Sequence, residues 1–373
     1  MPRTDPFSNL LRPLLATAAS LGAILGGCTP RAETFAAAPP RLCDTGLYAD
    51  FAARTPAADV LPFTPQYPLW SDGAAKSRWI ALPPGAAIDA RDPDHWEFPI
   101  GTRLWKEFRF GRAGEEKRSF VDPASGVLAA VETRFMQRRA DGSWLYATYQ
   151  WNADGTDATL APAAGVPAVC ATSDGKSHDL PAVSDCRLCH EGTRTPVLGF
   201  SALQLSADRD PLAPHAEPKH PGDVDLPALL ARGLVRGLPA RWQATAPHIE
   251  ARSPRERAAL GYLHGNCSSC HNGSGPLQRL GLRLDYPLAA SPLATGVAPG
   301  IATTLDVRSQ FTRPGASVRV CPGEPQRSVL VQRLAATDAL TQMPPFGRHL
   351  ADREALHLVA DWVANDLAAA TDR

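Results

Sequence analysis

Two short runs in the chain read C-x-x-C-H: Cys186-Arg187-Leu188-Cys189-His190 and Cys267-Ser268-Ser269-Cys270-His271. Two cysteines with two residues between them point the same way on a helical turn, so both thiols can reach the vinyl groups of one porphyrin. The histidine that follows directly then lies beneath the iron and ligates it through its imidazole. In an exported chain this pattern marks covalent haem c. Two other chemistries use paired cysteines. Two C-x-x-C pairs can hold one structural zinc ion, but that use gives no role to a histidine immediately after each pair. A dithiol oxidoreductase needs one pair on a thioredoxin-like scaffold, and no βαβ pattern flanks either motif. The spacing therefore predicts two covalently bound haem c groups, one held by Cys186, Cys189 and His190, the other by Cys267, Cys270 and His271.

The two contexts run in parallel. "CHEGTRTPVLG" and "CHNGSGPLQRLG" each place a glycine two residues past the histidine, then a proline (Pro196, Pro276), then another glycine. Such a loop can return a backbone carbonyl to the free ring nitrogen, fixing the orientation and basicity of the ligand. A sixth ligand is suggested by "LTQMPPFGRH". Methionine usually fills irregular gaps because it is flexible, yet Met343 is followed by two residues that freeze the backbone, Pro344 and Pro345. A thioether held in place beforehand is a stronger ligand, and the chain after His271 is long enough to wrap the haem. The competing sulfur is Met136 in "VETRFMQRR". Alternation puts it with Glu132, Arg134 and Arg138 on the charged face of a predicted strand, a poor place for a buried ligand. Met343 is thus the expected far-side ligand of the second iron.

No methionine lies between His190 and His271. The far side of the first iron is left to His178, His215, His220 or His248, or to no protein ligand at all. An open iron invites chemistry, whereas a closed one mostly passes electrons. His264, on a helix already committed to the second motif, reads as structural.

The elements that must position these residues follow from the pattern around them. Ser253-Pro254-Arg255-Glu256 combines a cap, a first-position proline and a capping-box glutamate, and the helix it starts runs into Cys267. "RSVLVQRLAATD" is a second amphipathic helix, with Val331 and Leu334 on one stripe. "ADREALHLVADWVANDLAAA" is a third, with Leu356, Val359, Val363 and Leu367 at helical spacing. The order helix, C-x-x-C-H, loop, helix, Met-Pro-Pro loop, final helix resembles a class I cytochrome c domain over residues 250–370. The resemblance implies that the first and last helices cross at small and aromatic residues, here Gly261, Tyr262 and Trp362. Ahead of them, "VDLPALLARGLVRG" predicts a short helix stopped at Gly233 or Gly237, giving apolar cover to the first haem.

Residues 43–165 change to strands and turns. "RLWKEFRF" and "AVETRFMQ" alternate, "SWLYATYQW" carries four aromatics, and Asp141-Gly142 sits between the last two runs as a hairpin turn. "PLWSDGAAKSRWIALPPG" reads as turn, apolar strand and stop, and "PAAGVPAVCATSDGKSHDLPAVSD" as a linker. An antiparallel β module, a sandwich for example, is expected. The fold class is multidomain α+β, with an N-terminal antiparallel β module followed by a mainly α-helical, cytochrome c-like haem region. The expected divisions are 1–27 leader, 28–42 tether, 43–165 β-rich module, 166–249 first haem-binding segment and 250–373 second haem domain.

The start of the chain reads as an export signal. Arg3 and Arg12 precede the apolar run "PLLATAASLGAILGG", too short for a comfortable membrane span. Leu25-Gly26-Gly27-Cys28 resembles a bacterial lipoprotein lipobox. That resemblance implies acylation of Cys28 and a lipid anchor to the membrane, and Thr29 after it favours the outer membrane, facing the periplasm. Lysine plus arginine equal aspartate plus glutamate at 38 each, so nothing points to nucleic acid. With 36 prolines and 29 glycines, helices should be short. Of the eight cysteines, Cys43 and Cys170 flank the β module and could form a disulfide, leaving Cys321 unpaired unless it displaces one of them; sequence does not decide the pairing.

"GLYADF", "LWSDGAAKSRWIALPPG", "FPIGTRLWKEF", "VETRF" and "YQWNADGTDA", ahead of two C-x-x-C-H motifs and "MPPFGR", resemble a family of exported dihaem c-type cytochromes along nearly all of the mature chain. The resemblance implies an electron carrier between redox protein partners, its Met-ligated haem at the higher potential. It carries no catalytic residues for the β module. Two other functions fit the same residues: a dihaem peroxidase- or oxidase-like enzyme with an open first haem, and a β module that binds a partner or a sugar through its aromatics.

Overall fold

The structure, a computed structural model, describes residues 34–111, 128–172, 175–290, 293 and 296–368. The apolar leader and Cys28 lie outside the described residues. The chain is a mixed α+β protein. A short hairpin, β1 (Tyr48–Asp50) and β2 (Thr55–Pro56), precedes β3 (Leu61–Pro62), β4 (Ala75–Ala81), β5 (Ile88–Asp89), β6 (Arg103–Gly111), β7 (Leu128–Arg138), β8 (Trp144–Trp151) and β9 (Ala158–Leu160). Six of these form one antiparallel sheet in the order β3-β4-β6-β7-β8-β9. The Asp141-Gly142 turn joins β7 to β8 as expected: Gly142 takes φ +82°, and Asp141 accepts hydrogen bonds from the backbone and hydroxyl of Ser143.

A sandwich is not what forms. The alternation of the strands is real, but both faces of the single sheet are covered. On one face Trp79, Trp105, Phe135 and Tyr149 pack with Leu42 and Leu47 from the segment that precedes the sheet. These aromatics are core, which removes the support for an exposed aromatic binding face. The other face carries Ile80, Leu104, Met136 and Tyr146, aligned across the strands by their register. They belong to one apolar cluster with Leu260, Val359 and Trp362 of the C-terminal helices. Met136 does share its face with Glu132 and Arg134, but that face points inward and Met136 is only 7 % exposed. The expectation that this charged face is a poor place for a buried sulfur is therefore corrected, since Met136 lines an internal cavity.

The expected linker folds into a hairpin, β10 (Val166–Ala171) and β11 (Ser177–Leu180), which leads into α1 (Val183–His190). Cys43 takes part in a disulfide, but Cys170 is a free thiol, as is Cys321. The Cys43–Cys170 bridge is not formed: Cys43 follows Leu42 in the cover of the aromatic face, while Cys170 packs against the cluster of Ala74, Phe108 and Phe110.

Next come α2 (Leu226–Ala231), β12 (Val235–Arg236), α3 (Ala240–Ala244), α4 (Pro254–Cys267), α5 (Pro299–Ala302), the hairpin β13 (Arg308–Arg313) and β14 (Ala316–Val318), α6 (Val329–Ala335) and α7 (Arg353–Asp361). Helix α7 continues with π geometry over Trp362–Leu367. Helix α2 begins where Asp225 accepts from the Ala228 backbone and ends ahead of Gly233 at φ +65°. It buries Leu226 and Leu229 in the main core, against which Cys186 also packs.

Helix α4 starts as its sequence dictates, with Ser253 accepting from the Glu256 backbone at 3.0 Å. The Glu256 carboxylate reaches back one residue further than a capping box requires, to the Arg252 N–H at 3.0 Å. Its other oxygen accepts from Trp362 Nε1 at 3.3 Å, and this is where the last helix meets α4. Gly261 does not serve that crossing. A Cβ there would lie 2.0 Å from Tyr67 Cε1, and one at Gly265 would lie 2.5 Å from the Tyr67 carbonyl oxygen. The bare strip of α4 receives the segment leading into the sheet, so the N-terminal half is packed directly on the helix that carries the second motif. Among the described residues, no helix is long and apolar enough to cross a membrane.

Candidate functional site

The first motif occupies the last turn of α1, so one helical turn presents Cys186, Cys189 and His190 together. The helix lies against β8, and the His190 ring is 5.5 Å from that of Tyr146. His190 Nδ1 donates to the Pro196 carbonyl oxygen at 2.6 Å, the return of a backbone carbonyl expected from the Gly-Pro-Gly loop. Because a carbonyl only accepts, the proton sits on Nδ1 and the Nε2 lone pair is left for a metal. Burial, with Lys106 and Arg134 nearby, holds the ring down at about 4, against the pull of the Pro196 bond, and so keeps it neutral.

The second motif begins at the final residue of α4, and the helical turn continues through it: the backbone N–H groups of Cys270 and His271 both donate to the Cys267 carbonyl. The proline loop does not reach this histidine. His271 Nδ1 is buried without a hydrogen-bond partner, so the parallel between the two loops holds in sequence and not in this bond.

The two motifs lie against each other. A Cβ on Gly192 would fall 2.5 Å from the Ser269 carbonyl oxygen, and one on Gly275 2.4 Å from the Gly192 carbonyl oxygen. Only glycine permits this approach. Asn272 stitches the turns together. Its amide donates to the carbonyls of Ser268 (2.7 Å) and Gly192 (3.0 Å), and its oxygen accepts from the backbone of Ser274 and Gly275. The thiols of Cys189 and Cys270 are neighbours, and their proximity raises the first and lowers the second. The four motif thiols do not converge into a metal-holding group, and no such cluster of His, Cys, Asp or Glu exists among the described residues. A single shared zinc site is not what this geometry builds.

Both motifs wall one cavity of about 800 Å³, and Met343 lies on its wall. The Met343 loop is fixed from several sides. The Met343 N–H donates to the Arg333 carbonyl. Gln342 and the buried Arg348 bond to surrounding carbonyls. Asp72 accepts from the N–H groups of His349 and Leu350 at 2.9 Å. The turn before β4 therefore holds a loop nearly the length of the chain away.

Of the histidines expected near the first iron, only His178 lines the cavity, and its Nε2 is bonded to Glu132 at 2.9 Å. His215 is engaged through both nitrogens, by Asp352 and Glu354. His248 bonds the Ala246 carbonyl, and His220 stands on an exposed loop. Neither His215, His220 nor His248 lines the cavity. His264 lines it but accepts the Tyr286 N–H on Nδ1 at 3.2 Å, in keeping with a structural role.

Sequence reasoning missed the cavity's third wall. The inward face of the sheet presents Arg78, Lys106 and Arg134 to it, with Lys76 beside them. Burial, and then Arg78, push Lys76 down to about 7; burial, Arg78 and Lys76 hold Lys106 well below an ordinary lysine. Alternate charges in "AAKSRW" and "LWKEFRF" were the available signal, but such patterns usually mark a solvated face. No family model, curated protein or solved structure matches this chain.

Proposed function

We propose that the chain is a dihaem c-type cytochrome that passes electrons between redox protein partners. On this reading Cys186 and Cys189 carry one haem c and Cys267 and Cys270 the other. His190, His271 and Met343 are axial ligands, and the region from α4 to the C-terminus is a cytochrome c-like domain. Acylation at Cys28 would anchor the protein to the outer membrane, facing the periplasm, with residues 43–165 as a β module ahead of the haem segments 166–249 and 250–373. The observation that carries the reading is the contact of the two C-x-x-C-H turns on one cavity, with their second cysteines as immediate neighbours.

The residues fit the group. His190 already holds the tautomer of an iron ligand, and the thiols sit half-buried at helical turns, where attachment needs them. When bound, each haem supplies a one-electron iron couple. The chain's own part is to fix the imidazoles, present the Met343 thioether and exclude water from the cavity by packing the sheet and α4 around it. Adjacent attachment sites favour exchange between the two centres, and a methionine ligand raises the potential of the second.

The test is a pyridine haemochrome assay with oxidised and reduced spectra of protein matured with haem. Two c-type haems per chain and a weak far-red Met–ferric band are expected. In Met343→Ala that band should vanish and the higher potential should fall; an unchanged band removes the assignment. A second reading, an enzyme with an open first haem, is favoured by the engagement of His178 with Glu132 and by the absence of His215, His220 and His248 from the cavity wall. High-spin ferric signal and rapid reaction with peroxide would support it, and a fully low-spin spectrum would end it.

A further inference from the structure

The inward face of the sheet holds an unbalanced set of charges. Arg78 is paired with Glu217 at 2.7 Å, both side chains 6 % exposed. Arg134 is paired with Glu132 at 2.6 Å, and Glu132 also takes His178. Lys76 donates to the Leu69 carbonyl at 2.9 Å. Lys106 has no hydrogen-bonded or ion-paired partner among the described residues; its Nζ lies 4.8 Å from the centre of the Phe108 ring, over which Arg134 also sits at 4.2 Å. Arg78, Arg134, Lys76 and Lys106 thus stand together, with Glu217, Glu132 and, toward Lys76, Asp352 as their carboxylates. Lys106 is half-buried, and leaving a partly desolvated amine without a partner is costly whether it is charged or neutral. The surface that Arg134 and Lys106 retain opens on the cavity wall, alongside Cys186, Cys189 and His190.

We propose that Lys106, flanked by Arg78 and Arg134, forms a cavity-wall binding site for a carboxylate-type anion at the first C-x-x-C-H motif. Two sources offer that chemistry: a propionate of the haem attached there, or a small carboxylate that enters the cavity. The geometry suits either, since the unpartnered Lys106 ammonium stands between two guanidinium groups on adjacent strands β4, β6 and β7, where the register sets Arg78 opposite Lys106 and Lys106 opposite Arg134. The proposal deepens the reading of the cavity as a haem site and rests on it for the first source only.

The experiment compares the haem-loaded native protein with Lys106→Met and Lys106→Arg. Each is titrated with sodium acetate by calorimetry and absorption, and resonance Raman spectra follow the haem propionate bending mode. A free-anion site gives acetate binding that weakens at least tenfold in Lys106→Met and is kept in Lys106→Arg. A haem-carboxylate site gives no acetate response, but a propionate mode that moves in Lys106→Met and returns in Lys106→Arg. Either result supports the site. An acetate response and a propionate mode both independent of Lys106 overturn it. Should Lys106→Met fail to fold, the native protein alone decides: no acetate binding and no shift of the propionate mode in deuterium oxide also overturn it. Absence of a haemochrome signal would defeat the cytochrome reading separately, and acetate titration of the haem-free chain would still test the anion site.

Discussion

Asp72 is a small residue with a long reach. It sits at φ +49° in the turn before β4, a conformation that aspartate and asparagine tolerate better than most. Its carboxylate receives the backbone of His349 and Leu350, just beyond the Met343 loop, and the side chain is 2 % exposed. Asp72→Asn keeps the turn and the shape but removes the charge from these bonds. We expect a loss of about 1 kcal/mol in urea unfolding. If Met343 is the ligand proposed above, the Met–ferric band of the haem-loaded variant should fade at lower urea than the global transition, because its loop is released first; coincident transitions would show that Asp72 does not hold it. At this scale the residues that local spacing singled out, the two C-x-x-C-H runs and Met-Pro-Pro, come together on one cavity. Asn272 and Asp72 were not legible, because each acts on a partner that only the fold brings near. An Asn-Gly pair after His271 was a turn signal, but it did not name Gly192 as its target.

At the scale of elements, the strands show what alternation does and does not say. Period two reports that the two faces of a strand differ; it does not report which face meets water. In β6 and β7 the charged face is turned inward, so Arg134 and Met136 lie where the alternation did not place them, and Lys106 joins them on the cavity wall. One consequence is measurable with pH. Burial would raise the Glu132 carboxyl, but Arg134 and the bond from His178 outweigh it and hold the group below the ordinary glutamate range. A lowered folded value contributes stability above the unfolded value of about 4.3, and that stability is lost as pH falls through the folded value. Native protein should therefore lose urea resistance below about pH 4. Glu132→Gln should be less stable at neutral pH, with Arg134 left unpaired, and flatter across the acid range; an equal slope in both would place the acid sensitivity elsewhere. Helix α4 carries the second prediction at this scale. Gly261→Ala places a methyl into the Tyr67 ring, and overpacking of this kind costs about 1–3 kcal/mol. In a double-mutant cycle with Tyr67→Ala the two losses should be less than additive; full additivity would mean that the ring moves aside freely.

At the scale of the molecule, the sequence suggested modules joined by a linker, and the packing ties them together. One apolar cluster runs from Ile80 and Leu104 in the sheet through Phe200 and Leu229 to Leu260 and Trp362 in the terminal helices. Polar contacts follow the same path: Asn266 holds the Trp70 backbone and the Pro68 carbonyl, and Trp70 Nε1 donates to Leu350. Hydrophobic periodicity identifies which side of an element is buried, but it does not identify the partner, so this union was invisible in a single sequence. It bears on what the C-terminal region does without the rest. Residues 250–373 expressed alone would expose the glycine strip of α4, lose the Asp72 clasp on the Met343 loop and leave the cavity open on the sheet side. We expect the fragment to take up haem at Cys267 and Cys270, because attachment needs only the local turn. It should unfold with a shallow, weakly cooperative transition and show little of the Met–ferric band at neutral pH. A fragment that melts as sharply as the full chain and keeps the band would show that the N-terminal half is an appendage, whereas the packing of Tyr67 into α4 requires it to be a structural wall of the second site as well as the first.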